Sequence, residues 1–477
     1  MQMDKKNINT DVLVIGGAGA GMRAAIEARS QDVNVTLVSK MPAGGSSSTL
    51  MTAGWFTCST AQSEEELFRQ VVHIGGYLNN QELVEVLARD VTHRIPELGE
   101  YGVPLSENEG REPHKPGHYT IPSTPGHPRG YSMLHPMRET CEDMGISLLD
   151  NTAVSSLLAV DGKATGAVAL DLENGQIITI SAKSTIIATG GGADAFERNN
   201  TPAGTTGDGF ILAFNAGAEL VDMELISFNL PNDLLDEMLK TKQPPDRTLE
   251  RGIAHYSLGG IKIDKDCRTN VNGLFAAGEV TGGVFGAGRI GGSAMADIIV
   301  FGARAGKTAA EYAKSAETSE QDIDQLNSER NRLQKILAND GEKPDDSYAE
   351  LRSVLWKYIG ITKTDESLAK GYEMLGGIKD RVMNLSGGIH EEWQKILEAR
   401  NILEQGRIIA QTSMLRKETR GNYWRIEYPE PDNDNCLVNI TAFKDGENIG
   451  TKVEPVKMTK ITEAGNPPIG QGCFGYL

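Results

Sequence analysis

Thr10–Gly21 reads TDVLVIGGAGAG and runs directly into the helical pattern MRAAIEARS of Met22–Ser30. An unbroken apolar run such as Val12–Ile15 belongs in a parallel sheet buried on both faces. A second apolar run, Val33–Val38, closes a βαβ unit of the length expected for a dinucleotide-binding fingerprint. In the G-x-G-x-x-G frame Gly16 and Gly21 are the outer glycines and Ala18 replaces the middle one, with Gly17, Gly19 and Ala20 between them. The Ala18 methyl crowds a pyrophosphate slightly, while Gly17 and Gly19 keep the turn flexible. The second strand ends in Ser39 and Lys40, with no carboxylate to bind a ribose, which weighs against NAD.

A second stretch, His255–Gly306, repeats the strand, glycine turn and helix arrangement. The apolar run Gly273–Ala277 ends in Gly278 and Glu279, a carboxylate placed to bind ribose hydroxyls. Arg289 stands alone among glycines, which suits a fixed cation gripping a carboxylate, and a helical pattern opens near Ser293. Taken alone, this stretch also reads as a surface turn with an ordinary arginine. Ala188–Gly192 (ATGGG) ends a further strand in a cofactor-type turn, and TTGDG, Thr205–Gly209, opens a helix at Asp208.

The motifs KMPAGGSSSTLMTAGW, HYSLGGI, GLFAAGEV and FGAGRIGGSAM, with the late RKETRGNYWRIEYPEPDND, resemble the FAD-binding flavoprotein subunits of fumarate reductase and succinate dehydrogenase. L-Aspartate oxidase and the α chain of adenylylsulfate reductase belong to the same superfamily. The resemblance implies an α/β fold with a Rossmann-type FAD-binding domain, a remnant capping segment, a helical domain and a small C-terminal domain. It places Gly16, Gly17, Ala18, Gly19, Ala20, Gly21, Ser39, Lys40, Ser46, Ser47, Ser48, Thr49, Ala53, Gly54, Val154, Ala188, Thr189, Gly190, Asp208, Gly278, Glu279, Ala294 and Met295 around FAD. His255 and Arg289 match the family's substrate-carboxylate residues and are the expected catalytic pair.

The departures from that pattern carry as much information. Ser48 occupies the position of the histidine that links flavin covalently in some relatives, so FAD is expected to be held non-covalently. Loss of that linkage favours a lower flavin potential and reduction over succinate oxidation. The family's long lid is cut to NDLLDEMLKTKQPPDRTLERGIA, Asn232–Ala254, and Asn229 replaces the histidine of its F-H-P element. The run ARDVTHRI, Ala88–Ile95, imitates the lost R-D-x-x-S-R lid motif but lies too early in the chain. Arg247 and Arg251 lie just before His255, with no motif to support either.

The 477 residues suit two or three domains, and the 54 glycines suit a nucleotide-binding α/β protein. The expected division is 1–228 with 255–306 for FAD, 229–254 for the capping remnant, 307–412 helical, and 413–477 as an irregular β-containing tail. A net charge of −18 argues against nucleic acid or anionic lipid as partner, so an anion site must be locally basic. No stretch reaches the ~18 apolar residues of a membrane span, and MQMDKKNIN has no signal-peptide core, which points to the cytoplasm. Cys58, Cys141, Cys267, Cys436 and Cys473 form no ligand pattern, and His114 and His118 sit in a Pro- and Gly-rich loop, Gly110–Gly130. No metal site is expected, so any iron–sulfur chemistry must come from a partner chain.

Two classes of function fit. One is a catalytic flavoprotein working on a CH–CH bond beside a carboxylate of a small anion, partnered by an iron–sulfur or other electron-transfer subunit. The other is an electron-transfer flavoprotein that relays electrons within a complex and has no substrate of its own. A lesser alternative is amine oxidation of the L-aspartate oxidase type.

Overall fold

The computed structural model describes residues 6–58, 64–108, 117–245, 247–317 and 321–470. Met1–Lys5, Cys473, His114 and the greater part of the first half of the Gly110–Gly130 loop lie outside them, as does the His118 side chain. The first strand, β1 (Lys6–Ile15), buries Val12, Leu13 and Val14 completely. It leads through Gly16 to helix α1 (Gly19–Arg29) and then β2 (Val35–Val38). The sheet is completed by β3 (Ser147–Leu149), β4 (Thr152–Val160), β5 (Lys163–Asp171), β6 (Ile177–Ile187) and β7 (Leu274–Ala276). Its order is β3-β2-β1-β6-β5-β4.

β6 is the centre of the sheet. It pairs in parallel with β1 along its length, from Lys6↔Ile178 to Ile15↔Ile187. On its other side Ile177–Ser181 pairs antiparallel with β5, and Thr185–Ile187 pairs parallel with β7. The carboxyl ends of β1, β2, β6 and β7 therefore point to one edge, where an open α/β sheet takes its ligand.

Helix α3 (Ser293–Ser315) lies against α1, and small residues set the distance. A Cβ on Gly302 would stand 2.8 Å from the Ala20 carbonyl, and one on Gly306 would stand 2.3 Å from that of Ala24. Helix α2 (Asp208–Asn215) starts at Gly207, whose φ of +76° places it in the left-handed region.

β4, β5 and β6 form an antiparallel run, and the expected helical stretch is present as α3, Ile323–Leu337, α4 (Pro344–Val354), Asp365–Met383 and α5 (His390–Leu415). One segment differs from expectation. Within Gly110–Gly130, Gly117–Thr120 is a strand, because Trp55–Cys58 and Ser106–Asn108 supply it with backbone partners on both sides. The tail hairpin, Val438–Asp445 with Asn448–Pro455, joins a five-stranded sheet through Leu220–Val221. Behind that junction the fully buried Arg416 bonds Glu224 (2.8 Å), Glu418 (3.1 Å) and Asp222 (3.4 Å), and Arg420 closes on Glu418.

The described residues of the expected capping segment pack onto the chain itself. Leu234 and Met238 of the helix Asn232–Thr241 and Thr248 of the turn Thr248–Arg251 are fully buried, and Trp356 donates to the Leu249 carbonyl at 3.1 Å. The strand Ile253–Ser257 follows and pairs antiparallel with Ile226–Asn229, which fixes His255.

Candidate functional site

A cavity of about 510 Å³ opens at the carboxyl edge of the large sheet, bordered by Ile15, Val38, Ala188 and Ala277 from the ends of four parallel strands. Three helices begin on its wall. Ala18 and Ala20 of α1, Asp208 of α2, and Ala294 and Met295 of α3 line it, and no side chain caps any of the three N-termini. Uncapped first turns present unpaired backbone N–H groups and a positive helix end, which suits anionic oxygens.

The turn before α1 is fixed by its glycines. Gly16 has φ +117°, and a Cβ there would lie 2.2 Å from the Ala188 carbonyl. A Cβ on Gly21 would lie 1.7 Å from the Gly16 carbonyl. Ala18 is extended (φ −95°, ψ −166°), so its methyl is tolerated without strain. The Thr189 hydroxyl, also on the cavity, has no hydrogen-bond partner among the described residues. Uncapped helix ends, a backbone-lined turn and an unpartnered hydroxyl fit a dinucleotide pyrophosphate and its ribose.

Most of the expected cofactor residues line this cavity: Gly16, Gly17, Ala18, Ala20, Ser39, Lys40, Ser46, Ser47, Ser48, Thr49, Ala53, Val154, Ala188, Thr189, Gly190, Asp208, Glu279, Ala294 and Met295. Gly19, Gly21, Gly54 and Gly278 do not. Each sits where a Cβ would strike a neighbour: Ile298 for Gly19, the Gly16 carbonyl for Gly21, Arg129 for Gly54 and Ala20 for Gly278. They permit the close packing that shapes the wall. Lys40 lines the cavity, but its three ammonium protons already have acceptors in Gly204 O (2.7 Å), Asp208 (2.6 Å) and Glu398 (2.8 Å). Burial opposes its charge, yet the two carboxylates hold its pKa above the usual lysine value.

At one end of the cavity His255 and Arg289 come together. Arg289 is 7% exposed, its guanidinium carbon lies 4.3 Å from the Tyr256 ring centroid, and Nη2 lies 3.5 Å from His255 Nε2. A guanidinium only donates, so Nε2 is the accepting nitrogen and Nδ1–H donates to Asn200 Oδ1 at 2.9 Å. Burial, assisted by the Arg289 charge, lowers the His255 pKa to about 4, so the ring is neutral at working pH. Two carboxyls stand behind them. Glu279 accepts from the Ser257 N–H at 3.0 Å, and burial raises its pKa to about 7. Asp297, 1% exposed in the first turns of α3, is raised by burial to about 8.

Sequence reasoning missed Asn200, Tyr256 and Asp297. Asn200 lies in a loop without a motif, and Tyr256 matters only through its ring beneath Arg289. Arg247 and Arg251 are tied to Glu237 and Asp233 at 2.6 Å each and do not reach the cavity. In Ala88–Ile95, Arg89 pairs with Asp90, and Arg94 with Glu97, away from the site. Cys58, Cys141, Cys267 and Cys436 are buried and form no disulfide among the described residues.

Comparison with known families identifies the family of the chain. The model described as "FAD binding domain" matches residues 11–240 and 251–295, more than half of the chain, and "Fumarate reductase flavoprotein C-term" matches 348–468. The chain belongs to the FAD-binding flavoprotein family of fumarate reductase type. This flavoprotein is 29% identical to an uncharacterized FAD-dependent oxidoreductase of Methanocaldococcus jannaschii, over 89% of this chain and 94% of that protein. It is 27% identical to one subunit of the fumarate reductase (CoM/CoB) of Methanothermobacter marburgensis, over 90% and 96%. The flavoprotein's fold matches that of the E. coli quinol fumarate reductase chain, with TM-score 0.85 at 22% identity over 98% and 99%. Adenylylsulfate reductase from Archaeoglobus fulgidus shares the fold at TM-score 0.78, 16% identity and coverage of 96% and 98%. The flavoprotein is an FAD-dependent oxidoreductase, and among its described residues no helix is long and apolar enough to cross a membrane.

Proposed function

We propose that this flavoprotein acts on a CH–CH bond beside a carboxylate of a small anion, and that an electron-transfer partner, iron–sulfur or otherwise, exchanges electrons with it in the cytoplasm. The observation that carries this reading is the meeting of Arg289 and His255 on the wall of the family's cofactor cavity. Bound FAD supplies hydride transfer at N5. Gly16, Gly17, Ala18, Ala20 and the first turns of α2 and α3 would hold its anionic and ribose oxygens, and Ser46 to Thr49 would border it without a covalent bond, because Ser48 has no ring nitrogen. Arg289 grips the substrate carboxylate, and its charge draws electron density from the adjacent carbons as they react. His255, neutral and anchored by Asn200, orients the same group. The proposed division of the chain places these functions in 1–228 with 255–306, and leaves 229–254, 307–412 and 413–477 as capping remnant, helical domain and tail.

The relay reading keeps one observation in its favour: the described residues of 230–252 fold down onto their own chain through Leu234, Met238 and Leu249, and none of them lines the cavity. Anaerobic assay of the isolated chain, loaded with FAD, separates the two readings. Turnover of a dicarboxylate such as fumarate with a reduced viologen dye, abolished in Arg289→Ala, supports catalysis. FAD that equilibrates with an iron–sulfur partner while no dicarboxylate is turned over favours the relay.

A further inference from the structure

The cavity wall Asn200–Thr205 is held from behind by two ion pairs that reach out of the large sheet to the helices. Both converge on Gly204, whose φ of +87° places it in the left-handed region. Its N–H donates to Asp194 Oδ2 at 2.8 Å, and Asp194 Oδ1 accepts from Arg352 of α4 at 2.9 Å. Its carbonyl accepts from Lys40 at 2.7 Å, and Lys40 is paired with Glu398 of α5 at 2.8 Å. Neutral donors satisfy the remaining oxygens. Thr206 and Asn401 bond Asp208 at 2.8 Å each, Gln394 bonds Glu398 at 2.8 Å, and the Tyr348 hydroxyl bonds it at 3.3 Å. Asp194 and Glu398 are 5% and 3% exposed. Buried charges of this kind stand or fall as a set, because removing one partner leaves the others uncompensated.

We propose that Glu398 and Arg352 are positioning residues that couple the FAD cavity to α4 and α5, so that cofactor binding and docking of these helices are one event. The same loop carries Asn200, which orients His255, so the coupling extends to the substrate end. Coupling is reciprocal. If the helices hold the wall in the shape FAD requires, FAD must in turn hold the helices in place.

Two conservative variants test this, with cofactor affinity and helix protection as readouts. Glu398→Gln and Arg352→Gln each remove one charge and keep most of the side-chain volume. Each is expected to weaken FAD binding about tenfold or more in titration of apoprotein. In the wild type, amide hydrogen exchange of Pro344–Val354 and His390–Leu415 slows when FAD is added, and that response shrinks in both variants. A purely structural role would lower the melting temperature equally with and without FAD and leave the FAD dissociation constant unchanged. Wild-type FAD affinity in both variants, or wild-type helices that exchange alike with and without FAD, would overturn the proposal. Should Glu398→Gln fail to fold, Arg352→Gln and the wild-type exchange comparison still decide the question.

Discussion

At the scale of single residues, Arg289 makes the sharpest prediction. It stays charged at any working pH, so Arg289→Lys keeps the charge and loses the two-pronged grip. One lost charge-assisted hydrogen bond costs about 1.5–3 kcal/mol, or about ten- to a hundredfold in kcat/KM. FAD content should hold, as flavin absorbance of the purified variant will show. At Ser48, acid precipitation should leave the yellow chromophore in the supernatant; flavin pelleted with protein would refute non-covalent binding. The titrating groups behind Arg289 set a pH dependence of stability. Asp297 has a folded pKa raised from 3.8 to about 8, so its contribution is complete below 3.8 and is lost as pH rises through about 8. Glu279 behaves likewise from 4.5 to about 7. His255, lowered from 6.5 to about 4, acts in the opposite direction, destabilising as pH falls across that window. Thermal melts should therefore show Asp297→Asn equal to wild type near pH 4 and more stable above pH 8. A parallel offset at every pH would place the effect elsewhere. Arg289 and His255 were legible because each stands in a quoted motif. Asp297 was not, because an acidic residue inside SAMADIIV reads as a helix's wet face, whereas in the fold it is 1% exposed.

At the scale of elements, the apolar run of β1 was readable because burial on both faces of a parallel strand leaves an unbroken apolar stretch. The reason for Gly21 was not. It serves the turn by contact with the Gly16 carbonyl, a relation visible only once the strand and helix are folded. Gly21→Ala should drive that contact apart and abolish FAD uptake, read as loss of flavin absorbance in soluble protein. The segment Asn232–Ala254 reads in sequence only as a shortened lid, whereas Leu234 and Met238 of its helix Asn232–Thr241 are fully buried. Leu234→Ala should cost about 2–5 kcal/mol in denaturant unfolding. A cost below about 1 kcal/mol would mean the helix is loosely docked. The strand Gly117–Thr120 was hidden because its Pro- and Gly-rich surroundings signal a loop, and one of its two partners, Trp55–Cys58, lies far upstream in sequence.

At the scale of the whole molecule, the buried set Asp222, Glu224, Arg416, Glu418 and Arg420 joins the first half of the chain to its tail. Arg416→Met leaves three carboxylates buried around an apolar side chain, which should cost about 3–5 kcal/mol. Because burial and the Glu224 charge raise Asp222 to about 7, the loss should be smaller at pH 5 than at pH 8, in paired unfolding curves. The sequence motif RKETRGNYWRIEYPEPDND marked this region by family resemblance, but nothing in its spacing revealed that its arginines face inward.

The central position of β6 has a consequence during synthesis. β1 leaves the ribosome with Val12 to Ile15 ready to be buried, yet its principal neighbour ends at Ile187, and β7 ends only at Ala276. At about 5–20 residues per second, the first strand waits on the order of ten seconds or more for its partner. β2 can cover one edge early, but through that interval the other edge of an apolar strand is open to the wrong neighbour. The nascent chain is therefore most vulnerable to aggregation before its middle has been made.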